Sequence, residues 1–488
     1  MEKRVLNELE PKIVWNIFED ITKVPRPSKK EEKIRKWIKN WAKKYNISVK
    51  EDGVGNILLK KEATEGCEDY PTLVLQAHMD MVCQKTPETE IDFKNDPLKI
   101  KIVDDYVTAE GTTLGADNGI GMAYGMAALI SDIKHGPIEV VFTVDEETGL
   151  TGVFNMGKGF FSGKYLLNLD SETLGEITIG SAGGGDTHYI LPVDHEEKKN
   201  WRGIRLSIKG LKGGHSGIDI HLPRLNAIKV VIEGVLYLKN KMDTLISNIN
   251  GGSVHNAIPR ECVCDFLVLK EKIDEAVKIL EDWKMRIIEK NKKNEPEMKI
   301  VISEISKTEA IIREQSDSIL NLLNEIPHGP LSFSKEMEGL VQTSNNLAVV
   351  KSGEDKIEIF LSSRSQVDRE LEELRKKLKI LGEKYNADVI QEKAYPGWQA
   401  DLSSPFLALV KNSYEDILKN EVSVKIIHGG LECGLFSKFD QELQIASIGP
   451  EIKDVHTPNE KIYIKSVGTV WDVIRKIIEN IGHLDNSL

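Results

Sequence analysis

No stretch of the chain approaches the roughly 18 consecutive apolar residues of a membrane-spanning helix, so the sequence predicts no integral membrane segment. The N-terminal stretch MEKRVLNELEPKIVWNIFEDITKV lacks the unbroken apolar run of a secretory leader, because Glu and Asp interrupt it. Cysteine is scarce: Cys67, Cys83, Cys262, Cys264 and Cys433 are an odd number without framework spacing, which argues against a disulfide scaffold. Cys262-Val-Cys264 has no second pair to complete a zinc site. Free thiols fit a reducing compartment, and a cytoplasmic protein is expected. Positive charge is in deficit, 65 Lys and Arg against 77 Asp and Glu, for a net charge of -12. That balance disfavours nucleic acid or an anionic membrane as the main partner.

What is present is an ordinary globular composition, 40% hydrophobic and 29% charged, over 488 residues. Single cores stop growing at roughly 250–300 residues, so two or more domains are expected. Apolar spacing predicts a helix from Asn7 to Ile21, then a second in KKEEKIRKWIKNWAKKY, with Ser28 as N-cap and Glu31 completing a capping box. The runs VGNILLK, TLVLQAH, IEVVFTVDEE and YLLNLDS read as strands, with the helical GIGMAYGMAALISDI among them. Apolar strands alternating with helices predict an α/β domain whose sheet is mainly parallel and covered on both faces.

Near Gly183-Gly184-Gly185 the pattern changes to strands and helices that occur twice, one copy following the other. HNAIPRECVCDFLV precedes the helix KIDEAVKILEDWKMRIIEK, and SNNLAVVKSGEDKIEIFLSSRS precedes DRELEELRKKLKILGEKY. This predicts an inserted α+β domain with an internal duplication. The α/β pattern resumes after Trp398, giving a discontinuous first domain, residues 1–185 and 399–488, interrupted by a second at 186–398.

The polar residues at predicted strand ends carry the functional signal, since open α/β sheets bind ligands at the carboxyl ends of their strands. His78-Met79-Asp80 suits a metal-binding imidazole with an orienting carboxylate, although such a triplet also arises by accident. Asp117 lies in the small-residue loop GTTLGADNG before a helix, as a ligand or as an ordinary N-cap. Asp145-Glu146-Glu147 follow a very apolar strand, where their repulsion needs cations to offset it; a solvated acidic turn is the plainer reading. Asp170 ends LLNLD, and His456 lies in DVHTPNE before a turn. His428 and Glu432 are further polar residues at a strand end.

The group is consistent in charge: two zinc ions carry four positive charges, matched by Asp117, Glu147, Asp170 and one shared hydroxide. Two histidines and three carboxylates suit the low coordination numbers of zinc. Glu146 and Asp80 are then left for proton transfer and orientation.

The ordered set HMD, GADNG, DEETG, NLDSE, GGHSG and DVHTPNE strongly resembles the M20 metallopeptidase family, and HGGLECGLF with the long insert resembles its aminoacyl-histidine (Xaa-His) dipeptidase branch. The resemblance implies His78 and Asp170 on one metal, Glu147 and His456 on the other, and Asp117 bridging both. It implies Asp80 orienting His78, Glu146 as general base toward a bridging water, and a cis peptide between Asp117 and Asn118. The inserted domain becomes a lid that supplies His215 to the oxyanion, with Asn256, Arg364 and Gly430 as substrate-binding residues. Arg364 suits a peptide's free carboxylate. The implied activity is hydrolysis of dipeptides, Xaa-His types included. Zinc is the expected metal, with cobalt or manganese accepted by the same donors. A short peptide is the expected partner, and the resemblance leaves monomer or homodimer open. Competing readings are an M20 deacylase or carboxypeptidase acting on N-acylated amino acids, and a noncatalytic metal-binding relative. A third, an acidic interaction protein, is disfavoured because the carboxylates follow strand ends.

Overall fold

The computed structural model describes residues 4–335, 339–440 and 442–484. The chain divides into two compact units: Met1–Gly180 with Trp398–Ile426 and Leu431–Leu488, and Ser181–Gly397 with Ile427–Gly430. The short segment 427–430 thus leaves the C-terminal part of the first unit, and it takes His428 and Gly430 with it.

The first unit is built on an eight-stranded sheet. Its order is Ser48–Glu51, Ile57–Lys61, Ile138–Thr143, Leu73–His78, Tyr165–Asn168, Gln444–Ser447, Glu176–Ser181 and Ser423–Ile427. The third to sixth strands run parallel to one another, and antiparallel pairings lie outside them. Every residue of the strands Leu73–His78, Ile138–Thr143 and Tyr165–Asn168 is buried, so both faces of the sheet centre are covered. Because side chains alternate along a strand, Leu73, Leu75, Ala77, Val140, Phe142 and Leu167 enter the main core with residues of the helices Lys12–Thr22, Ala116–Ile130, Pro405–Leu418 and Ile464–Asn480. Gln76, His78, Thr143 and Asn168 are therefore presented on the opposite face.

Two local expectations are corrected. The first helix starts at Lys12 and not at Asn7, because Pro11 disfavours helical backbone at Glu10 and itself occupies the N-cap. The second, Glu32–Lys44, has no side-chain cap. Ser28 instead donates to Asp80 Oδ2 at 2.7 Å, and Glu31 Oε1 accepts the N–H groups of Lys29 and Asp145 at 2.8 and 3.1 Å. A buried acceptor, Asp80, takes the Ser28 hydroxyl, and backbone donors other than the Ser28 N–H occupy Glu31, so the capping box does not form.

Glu139 shows how this sheet tolerates an acid in a buried strand. It is 1% exposed, and it accepts from the N–H groups of Ser162 and Gly163, the Ser162 hydroxyl, and Lys60 at 2.6 Å. Burial pushes its pKa up, but Lys60 and the Ser162 donors outweigh burial and hold it below 4.5. Glu139→Leu is expected to cost about 2–4 kcal/mol, because those donors lose their acceptor. Urea denaturation of both proteins measures this. A carboxylate with a depressed folded pKa stabilises above its unfolded value of 4.5. The difference between the proteins should therefore persist at neutral pH and shrink as pH falls through that lower folded pKa. A difference independent of pH would contradict the ionised assignment.

The second unit carries a nine-stranded sheet ordered Lys299–Ile305, Trp201–Lys209, Cys262–Leu269, Leu245–Gly251, Val341–Ser352, Lys356–Ser365, Gly183–Pro192 and Asp388–Gln391, with Gly329–Phe333 also paired to Val341–Ser352. It comprises two βαββαβ halves with the same strand order. One uses the helices Ala227–Lys239 and Ile273–Asn291, the other Arg313–Glu325 and Asp368–Lys384. They join where Asn250 and Gly251 pair antiparallel with Lys351 and Val350. The copies are nested and not successive, because Gly183–Pro192, the first strand of one half, precedes the whole of the other. Its pairing with Lys356–Ser365 is a contact between residues far apart in sequence. Among the described residues no helix is long and apolar enough to cross a membrane, and Cys67, Cys83, Cys262, Cys264 and Cys433 are all unpaired thiols.

Candidate metal centre

Three neighbouring parallel strands end at one edge of the first unit's sheet. His78 is the last residue of its strand and stands opposite Thr143, and Gln76 stands opposite Asn168. Asp145, Glu146 and Glu147 follow Thr143, and Asp170 follows Asn168, so parallel pairing alone gathers these groups. Asp117 joins them from the start of Ala116–Ile130, where Asp117 and Asn118 depart from helical torsions and their peptide is cis. His456 arrives on the loop between Ile452–Lys453 and Lys461–Tyr463, held at φ +60°, a conformation uncommon outside glycine.

Asp117 is the centre of the arrangement. Its Oδ1 lies 2.9 Å from His78 Nε2 and its Oδ2 lies 3.1 Å from His456 Nε2. Each imidazole has a second carboxylate of its own: Asp170 Oδ1 is 3.4 Å from His78 Nε2, and Glu147 Oε2 is 3.1 Å from His456 Nε2. The result is two imidazole–carboxylate pairs sharing one carboxylate. His78, Asp117 and Glu147 offer ligand atoms within 4.8 Å of one another. Glu147 Oε1 is buried without a hydrogen-bond partner among the described residues. Two imidazoles and three carboxylates form a nitrogen and oxygen donor set that fits two divalent ions of the zinc type.

The surrounding residues hold this geometry. Asp80 Oδ1 lies 3.3 Å from His78 Nδ1 and also accepts the Glu146 N–H at 3.0 Å, while Oδ2 accepts the Glu147 N–H at 3.2 Å. One carboxylate therefore orients His78 and pins the turn that carries both glutamates. Glu31, Asp80 and Asp145 also cluster closely. Their oxygens are engaged by backbone N–H groups and by the hydroxyls of Ser28, Thr148 and Thr151, so the cluster acts as a support for the turn. Glu460 accepts from four successive N–H groups, Leu114 to Asp117, at 2.7–3.4 Å. Arg26 binds the carbonyls of Met79, Asp80 and Gly115 from beneath, and Asn118 Nδ2 donates to Asp170.

Sequence reasoning left Glu460 and Arg26 without roles, and it named Glu432 only as a polar residue. Glu432 Oε2 accepts from Gln76 at 2.6 Å and Thr143 at 2.7 Å, and Gln76 Oε1 accepts from Asn168 at 2.5 Å. These residues form a buried polar network under the strand ends. The signal available in sequence was a polar residue two places before each strand-end group, Gln76 before His78 and Asn168 before Asp170.

Electrostatically the centre is crowded with acids. Burial, then the charges of Asp117 and Asp170, push Glu172 up to about 8, and burial with Asp170 pushes Glu432 up to about 8 despite nearby His78. Glu147 rises to about 7 through burial and Asp117. Glu146 lies well above the usual carboxylate range, through burial first and then Glu147, Asp170 and Glu432, with His78 opposing. His456 is drawn up to about 11 by hydrogen bonds to Asp117 and Glu147. An excess of buried carboxylate over cationic side chains is the condition divalent ions neutralise. The Glu146 side chain makes no hydrogen bond to the described residues.

The remaining predicted residues belong to the second unit. His215 and Asn256 adjoin in a short ribbon: the Ser216 N–H donates to the Asn256 carbonyl at 2.8 Å, and His215 pairs with Ala257. His215 Nδ1 accepts the N–H groups of Gly217 and Ile218 at 3.2 and 3.1 Å, which places the ring proton on Nε2. Arg364 is 8% exposed. Gly430 packs against the ring of Tyr395, 2.8 Å from where its Cβ would lie.

Residues 74–480 match the profile of Peptidase family M20/M25/M40. The chain belongs to that family. This M20 peptidase is 38% identical to the cytosol non-specific dipeptidase of Escherichia coli (strain K12) over 479 residues, covering 98% of this chain and 99% of the relative. It is also similar to the crystal structure of an aminoacylhistidine dipeptidase from Vibrio alginolyticus, with TM-score 0.85, 37% identity and 97% of each chain covered. A tripeptidase from Staphylococcus aureus shares the fold at 17% identity, with TM-score 0.58 and coverage of 98% and 100%. The M20 membership makes the chain an enzyme of peptide hydrolysis, with the α/β architecture described above.

Proposed function

We propose that the chain is a cytoplasmic metal-dependent dipeptidase holding two divalent ions, zinc by preference. The observation that carries the reading is the pair of imidazole–carboxylate half-sites sharing Asp117, with Glu146 beside them and bound to neither imidazole. His78 and Asp170 would hold one ion, Glu147 and His456 the other, and Asp117 both. When bound, the ions supply Lewis acidity toward the scissile carbonyl and lower the pKa of an attacking water. Glu146 accepts the proton of that water and passes it to the leaving amine, a task suited to a carboxylate whose pKa is raised by burial. Asp80 keeps His78 in the orientation needed.

The first unit is the catalytic domain and the second the lid. His215, with its proton on Nε2, is a donor for the developing oxyanion. Asn256 and Gly430 contact the substrate, and Arg364 takes its free carboxylate, which limits action to short peptides. Dipeptidase names on relatives aligned over nearly the whole chain support the substrate class.

The test is a metal-reconstituted panel of dipeptides, β-alanyl-histidine included, each beside its N-acetylated form. Cleavage of the free dipeptides in preference to the acetylated ones is expected. Cleavage of the acetylated compounds alone would replace the dipeptidase by a deacylase or carboxypeptidase. Two bound metals with no turnover on any compound would make the chain a noncatalytic relative.

A further inference from the structure

Arg364 lies in a setting that its role as carboxylate receptor does not by itself explain. It sits on the strand Lys356–Ser365 between two neighbours, opposite Ser344 on one side and Gly184 on the other. It is 8% exposed, its Nε is buried without a hydrogen-bond partner, and no carboxylate of the described residues lies within ion-pair distance of it. Asp186 is hydrogen-bonded to His255 at 2.8 Å, and against burial His255 first, then Ser362 and the Arg364 charge, hold its pKa down. A guanidinium so deeply placed, with no acid of the described residues in direct ion-pair contact, calls for an external anion.

Among the described residues one group steers it. Arg364 Nη1 donates to the Tyr395 hydroxyl at 2.9 Å. Tyr395 is in turn fixed to the strand beside Arg364: its N–H donates to the Gly184 carbonyl at 2.9 Å, and the Gly184 N–H donates to the Tyr395 carbonyl at 3.0 Å. Its ring lies over two residues without side chains. A Cβ at Gly184 would fall 2.4 Å from the Tyr395 hydroxyl, and one at Gly430 2.8 Å from the ring. The glycines leave a slot that the aromatic ring fills to reach the end of the arginine. On the opposite strand Ser344 engages His428 Nε2 at 2.8 Å, which closes the other flank.

We infer that Tyr395 is a positioning residue for substrate selection: by engaging Nη1 it fixes the rotation of the Arg364 guanidinium that takes the peptide's terminal carboxylate. A guanidinium offers a carboxylate two parallel N–H groups along one edge, and fixing its rotation decides which edge is offered. The inference rests on the reading of Arg364 as carboxylate receptor. It also assigns Gly184 and Gly430 a shared purpose, room for the Tyr395 ring.

The experiment compares a dipeptide with its C-terminal carboxamide on the metal-reconstituted full-length wild type, Tyr395→Phe and Arg364→Met. Phe keeps the ring in its slot and removes only the hydroxyl. Tyr395→Phe is expected to raise KM for the carboxylate substrate by about tenfold to a hundredfold, the effect of one lost hydrogen bond to a charged group. The carboxamide KM, kcat to within about threefold, Tm and metal content should hold, since the loss is confined to one contact. Arg364→Met should abolish the carboxylate preference altogether. If Arg364→Met abolishes it and Tyr395→Phe leaves it intact, the positioning role is wrong while the receptor reading stands. Equal losses on both substrates with a lower Tm would make Tyr395 merely structural and overturn the proposal. A full preference retained in Arg364→Met removes the receptor reading and this inference together.

Discussion

Glu146→Gln is expected to bind both metal ions as the wild type does and to lose about 10²–10⁴-fold in kcat, the range contributed by a positioned general base. The side chains are nearly isosteric, and the Glu146 side chain makes no hydrogen bond to the described residues whose loss would disturb the fold. Its backbone N–H, which helps pin the turn to Asp80 at 3.0 Å, is untouched. What disappears is the proton acceptor, at a position where burial and the neighbouring acids already favour uptake of a proton. Metal analysis on the same sample as the kinetics separates the two effects. Wild-type turnover would remove Glu146 from the mechanism, and loss of metal would show it to be a ligand.

Asp117→Ala is expected to act on binding. Asp117 Oδ1 and Oδ2 face His78 and His456 at 2.9 and 3.1 Å, so one substitution removes an oxygen from each half-site. Affinity for both ions should fall by more than the roughly 10–100-fold typical of losing an outer partner, and activity at sub-stoichiometric metal should vanish. The stability supplied by metal should vanish with it. An ion at 100 times its Kd adds about 2.7 kcal/mol, so a chelator should lower the Tm of the wild type and leave that of Asp117→Ala nearly unchanged. Titration calorimetry finding two ions at wild-type affinity would show that Asp117 is not shared between them. His78→Ala is the useful companion, because it should weaken one ion far more than the other.

The candidate metal centre was legible in the sequence to the extent that its residues end strands. His78 closes an apolar run, the three acids from Asp145 follow another and Asp170 a third, and parallel pairing necessarily brings such ends to one edge of the sheet. Asp117, at a helix start, and His456, in a loop, do not end strands, so no periodicity governs their direction; they entered the group through a small-residue loop and a turn, and the resemblance then gave them their roles. The Ser28 and Glu31 capping box failed for a related reason: a local pattern competes with distant partners, the Asp80 carboxylate for Ser28 and the Asp145 N–H for Glu31, that sequence spacing cannot reveal. Glu460, which holds four N–H groups of the Asp117 loop, lies only four residues from His456. Its role depends on the pairing of Lys461–Tyr463 with Tyr106–Ala109, a contact between opposite ends of the chain.

By itself the sequence determined the α/β class, the interrupted first domain, the repeated strand and helix pattern, and the residue types available for metal and proton chemistry. These follow from periodicity and composition, which are properties of neighbouring residues. Tertiary structure alone decided that the two halves of the second unit are nested, that Glu460 holds the N–H groups before Asp117, and that Tyr395 reaches Arg364 across Gly184. Each of those depends on strand pairing between distant segments, and pairing is chosen by the burial of whole sheet faces, which no local pattern encodes.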